Sequence, residues 1–141
     1  MKVLCAICLL VGAIAITQSW VRSPTTTELF NLRSRCTELG DKILSEQKKV
    51  KQEAGIGGYY EQTSHYDLPA NRCYINLTIV EGGIRQVLLY DGQTKHLLAY
   101  ANYYRDGTQA ANVFDKSSSF SNSYDWKGTI KYMDQMMAET K

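Results

Sequence analysis

The hydrophobic period of this chain changes across the glycines 55, 57 and 58, and that change limits the fold more than any other feature. Before it, Leu29, Leu32, Cys36, Leu39 and Ile43 recur at alternating steps of three and four residues, with Phe30 and Leu44 widening the stripe. That is the period of an amphipathic helix. The opposite face carries Arg33, Arg35, Glu38, Lys42, Glu46, Lys48 and Lys49. From Tyr59 onward apolar and polar residues alternate, the period of a strand with one buried face. Neither the helix stripe nor the sheet face can be buried alone, so the two must pack on each other. The expected class is α+β: an N-terminal amphipathic helix on an antiparallel meander, followed by a short C-terminal helix.

Local signals sharpen this reading. Pro24 blocks helix from the N-terminal side. Thr25 with Glu28 forms a capping-box pattern, and the glycines end the helix. Gly40 inside the stripe predicts a kink or an early break. Four strands are expected, over 59–66, 72–80, 84–90 and 95–104. They are separated by Asp67-Leu68-Pro69-Ala70-Asn71, Glu81-Gly82-Gly83 and Asp91-Gly92, and closed by Arg105-Asp106-Gly107. Cys73, Ile75, Leu77 and Ile79 share one face of the second strand. A two-residue and a three-residue loop at 81–83 fit equally, and they place opposite faces of the third strand beside Cys73. Residues 108–125 read as a long loop with serines around Phe120. Asp125 caps a last helix with Trp126, Ile130, Met133 and Met137 on one side. The whole makes a sandwich of two layers.

The N-terminus reads as a secretory leader. Lys2 precedes an apolar run from Val3 to Ile16, and small residues permit cleavage after Ala15 or after Ser19. The run is too short for a membrane span, which needs roughly 20 apolar residues. Residues 1–19 are therefore expected to leave, and 20–141 to form one exported domain, secreted or periplasmic, with no stable membrane span. Sixteen basic residues against fourteen acidic, interspersed, leave no basic stripe for nucleic acid. Cys5 and Cys8 leave with the leader. Cys36 and Cys73 then have one intramolecular pairing, and both lie on faces assigned inward by independent periodicities. A disulfide is expected; two buried thiols fit the same positions.

Signs of catalysis are sparse. His65 and Asp67 share a strand face, and a carboxylate there could orient an imidazole for acid–base or metal chemistry. A strand-end histidine with a structural hydrogen bond explains the same residues. His96 is the only other histidine, and no HxH or HExxH spacing exists, so neither a metal nor a cofactor is expected. Serine-nucleophile motifs are absent. Tyrosine is plentiful, with ten in the chain. Tyr100, Tyr103 and Tyr104 are the candidate binding residues of a wet aromatic sheet face. Ordinary strand preference is the simpler account of the same residues. Asn76-Leu77-Thr78 fits a glycosylation sequon.

His65-Tyr66, then Asn71-x-Cys73 followed by Tyr74, with Cys36 on the preceding helix, resembles a loose group of small exported bacterial proteins. The likeness spans about forty residues. It implies an envelope or extracellular location and the same cysteine staple, and it implies no activity. The order of apolar N-terminus, helix and meander is also similar to type IV pilins, although Pro24 interrupts the join and no glycine–glutamate processing site precedes the apolar run. The function expected from all this is a monomeric or weakly associating binding module for a protein or envelope polymer. A small hydrolase or metal enzyme using His65 and Asp67, or a surface structural subunit, are the alternatives.

Overall fold

The structure, a computed structural model, describes residues 23–115 and 125–138. The leader and the serines around Phe120 lie outside the described residues. Helix α1 runs over Thr26–Glu53, strands β1 to β5 over Tyr59–Asp67, Arg72–Glu81, Ile84–Asp91, Leu97–Tyr103 and Gln109–Val113, and helix α2 over Trp126–Met137. The strands form one antiparallel sheet in the order β1-β2-β3-β4-β5.

The ends of α1 are set by its sequence. Thr25 Oγ1 accepts from Glu28 N–H, and Glu28 accepts from Thr25 N–H at 2.6 Å. At the other end Gly55 takes φ 71°, which lets Gly55 N–H bond the Gln52 carbonyl and Ile56 N–H the Lys51 carbonyl, closing a Schellman motif. The break expected at Gly40 does not occur. The helix is continuous for 28 residues, and Gly40 is buried in it. A Cβ there would stand 1.7 Å from Gln62 Nε2, so the glycine serves close approach of α1 to β1.

The sheet has five strands and not the four expected. Residues 109–113 pair with β4, from Ala99 opposite Val113 to Tyr103 opposite Gln109. Arg105-Asp106-Gly107 is thus a hairpin turn rather than a stop. Asp106 Oδ1 accepts from both the backbone and the hydroxyl of Thr108. Gln-Ala-Ala-Asn-Val has neither alternation nor β-branched residues until its last position, so its pairing comes from the neighbour and the turn, not from propensity. The open hairpin is settled as well. Glu81 faces Ile84 across a two-residue loop, with φ 56° at Gly82 and 82° at Gly83, the left-handed pair that suits a twisted hairpin. Leu88 and Tyr90 therefore join Leu77 and Ile75 on one face.

That face receives α1. Cys36, Ile43, Tyr66, Cys73, Ile75 and Leu77 form its buried core, flanked by Leu29, Leu32, Leu39 and Leu44. The two-layer expectation fails on the opposite face. There Tyr74, Leu89, Ala99, Ala101, Ala111 and Val113 pack with Tyr132 and Met133 of α2. Cys73 and Tyr74 are adjacent in one strand and so point to opposite faces; each belongs to a different helix's core. The molecule therefore has three layers. Across neighbouring strands Val87, Ala101 and Ala111 form one row and Leu89, Ala99 and Val113 the next, and the three alanines leave room for α2. Asp125 caps that helix as expected, accepting from Gly128 N–H at 2.7 Å. Its buried centre includes Thr129 and Tyr132 as well as Met133. Tyr132 donates to Asp115 at 2.8 Å. Burial, reinforced by that bond, pushes the Tyr132 hydroxyl well above the usual tyrosine range.

Among the described residues no helix is long and apolar enough to cross a membrane.

Candidate functional site: a cleft over the disulfide

Cys36 lies in the buried stripe of α1, and Cys73 is the second residue of β2. The two are joined by a disulfide with Cα atoms 5.5 Å apart. Each cysteine is 2% exposed. The bond is compatible with an extracellular or periplasmic location.

Above it opens a cleft of about 370 Å³. Leu32, Cys36 and Leu39 line it from one stripe of α1, with Arg35 beside them. Tyr66 enters from the end of β1, Cys73 from the start of β2, and Asn71 from the turn between those strands. Gln93 comes from the β3–β4 turn.

The polar wall is held in place. Asn71 adopts φ 50°, a left-handed conformation that asparagine tolerates better than most residues. The Tyr66 hydroxyl donates to Asn71 Oδ1, and Gln93 Nε2 donates to the Asn71 carbonyl at 3.1 Å. Gln93 is itself placed by Asp91, which accepts from the N–H groups of Gln93 and Thr94 at 2.9 and 3.0 Å. Gly92 N–H donates to the Cys73 carbonyl at 2.7 Å. This seats the turn directly against the disulfide.

Of the six residues that carry the sequence resemblance, the cleft gathers Cys36, Tyr66, Asn71 and Cys73, while His65 and Tyr74 belong to the opposite face of the sheet. Only the two cysteines were expected to meet. Tyr66 and Asn71 sit at opposite ends of a Pro69-containing turn, a spacing that signals their proximity. Nothing in the spacing of Arg35 and Gln93 brings them together; that requires the tertiary fold.

The remaining candidates lie elsewhere. His65 pairs with Tyr74 and Asp67 with Arg72 in the sheet register, which puts them on the face opposite α1. The Asp67 carboxylate accepts from Ala70 N–H at 3.4 Å, and the His65 carbonyl oxygen stands 3.4 Å from Cys36 Sγ. Both side chains are half-buried, and neither lines this cleft. Tyr100, Tyr103 and Tyr104 do not form one surface. Tyr100 and Tyr103 are three residues apart in β4 and take opposite faces. Tyr100 rests on Phe114 with ring centroids 5.8 Å apart, and Tyr103 faces Trp126 at 6.4 Å. Tyr104 lies beyond the strand, its N–H bonded to the Thr108 carbonyl. Asn76 is half-buried in β2, between Thr63 and Leu89. His96 is exposed in a turn. Among the described residues no three His, Cys, Asp or Glu side chains are grouped to hold a metal.

Comparison of the chain with protein-family models, curated proteins and solved structures found no match.

Proposed function

We propose that this protein is an exported binding module, stapled by Cys36–Cys73, whose ligand site is the cleft above the disulfide. One observation carries the reading. Residues from α1, β1, β2 and two turns converge on one hollow, where Leu32, Leu39 and the disulfide meet the hydrogen-bonded Tyr66, Asn71 and Gln93; apolar surface with a few placed polar groups is the usual make-up of a ligand site. The lining includes no nucleophile beside a base, so the arrangement suits binding better than turnover. Residues 1–19 act as the leader, and the disulfide forms in the oxidising compartment to which they deliver the chain. The module works as a monomer, and its ligand is presented by a protein or an envelope polymer.

The test is nitrogen-15 NMR of the exported protein titrated with a small set of amphipathic fragments. Shifts are expected to concentrate at Leu39, Asn71, Gly92 and Gln93. Fragments that shift only the Tyr103–Trp126 surface, or the hollow beside Lys48 and Tyr60 at the other end of α1, would remove the cleft as the site.

A further inference from the structure

We infer that the cleft takes a carboxylate carried on a small apolar body. This rests on the cleft being the binding site, and it follows from counting the donors and acceptors that face it.

Arg35 brings five N–H donors and no acceptor. Among the described residues it has no ion-pair partner. Neither Glu38, three residues on along the helix, nor Glu28, seven residues back, forms an ion pair with it. Asn71 spends its side-chain oxygen on Tyr66 and its carbonyl on Gln93, which leaves both hydrogens of Nδ2. Gln93 spends one of its two amide hydrogens on Asn71 and keeps the other, together with its side-chain oxygen, the one acceptor of the pair of amides left over. Among the described residues no aspartate or glutamate lines the cleft. The rim is thus rich in donors, carries one full positive charge, and offers little to a cation or to a ligand that must donate.

A guanidinium fork beside amide N–H groups matches the two oxygens of a carboxylate, and such charge-assisted bonds are the strong ones. The floor has the opposite character. Leu32, Leu39 and the disulfide present apolar atoms. The volume of about 370 Å³ lies at the small end of the roughly 300–1,000 Å³ found for ligand pockets. The body that fills it is correspondingly small, with one apolar side chain next to the anion. A free small acid and the last residue of a peptide both have this chemistry.

The probes are N-acetyl-leucine, N-acetyl-leucinamide and an acetylated tetrapeptide Gly-Gly-Gly-Leu with a free carboxyl end. Each is titrated into the exported protein while the side-chain amide signals of Asn71 and Gln93 are followed by NMR. The acid is expected to bind at least about tenfold tighter than the amide, as a charged hydrogen-bond pair should. Arg35→Gln is expected to abolish that preference while the remaining spectrum stays folded, and Arg35→Lys to restore part of it. If the tetrapeptide binds tighter than N-acetyl-leucine, the source is a chain end; if the two are equal, it is a free acid; both outcomes support the inference. Acid and amide binding alike in a cleft that other fragments occupy would overturn the ligand class and leave the site standing. If neither acid nor fragment enters the cleft, the ligand class and the site fall together.

Discussion

Replacing Cys36 and Cys73 together by alanine should lower the stability of the fold by about 4 kcal/mol. The bond closes a sequence separation of 37 residues, and the chain-entropy relation for a loop of that length yields this figure at room temperature. The loop contains the larger, C-terminal part of α1 and all of β1. Reduction therefore frees the unfolded chain over the region where helix and sheet must find each other. Packing adds to the loss, since each sulfur is buried between α1 and the sheet and alanine leaves a small void in its place. Urea unfolding of the parent and the double variant measures the difference at the midpoint, with the slope confirming that the same transition is compared. A loss below about 1 kcal/mol would show that the α1–sheet contact does not depend on the staple, against the expectation of the loop relation.

The second large effect is expected at Gly92. Gly92→Ala should cost about 1–3 kcal/mol, the range for inserting a methyl into a filled core. A Cβ built there stands 2.7 Å from Cys73 Sγ, 3.1 Å from Ile75 Cγ1 and 3.2 Å from the Cys73 carbonyl oxygen. None of these can swing away: the sulfur is bonded to Cys36, Ile75 is fully buried in the core, and the carbonyl is backbone. The turn must lift, which lengthens the Gly92–Cys73 hydrogen bond and carries Gln93 away from Asn71. The variant should therefore lose both stability and the wall of the cleft. Gly57→Ala is the control, because nothing lies within 4 Å of a Cβ at that position. Equal midpoints for the two variants in urea would contradict the close packing of the turn on the disulfide.

These two positions show what could be read from sequence. The staple was legible because a period of 3.6 put Cys36 inward and a period of 2 put Cys73 inward, without reference to each other. The capping box at Thr25 and the cap at Asp125 were legible because each rests on three or four neighbouring residues. Hairpin register was not, since Glu81-Gly82-Gly83 admits two loop lengths and only the left-handed φ at both glycines decides. Strand β5 was hidden because Ala110 and Ala111 favour no strand, and Asp106-Gly107 serves equally as a stop and as a turn. The third layer was hidden by small residues: Ala99, Ala101 and Ala111 look like weak core, and their value is the space they leave for α2. Parity alone, by contrast, separates Tyr100 from Tyr103, so a shared aromatic face was excluded by the strand assignment itself. The cleft needed the fold. Arg35, Asn71 and Gln93 come from three distant segments, and it is the close seat of Gly92 on Cys73 that brings the last of them in.

The most direct measurement is the intact mass of the protein after export with its own leader, taken with and without reductant and with an alkylating label. A mass corresponding to cleavage after Ala15 or Ser19 is expected, with no label on Cys36 or Cys73 until the protein is reduced. A full-length mass with freely labelled thiols would contradict it, removing the leader, the staple and the exported binding module at once.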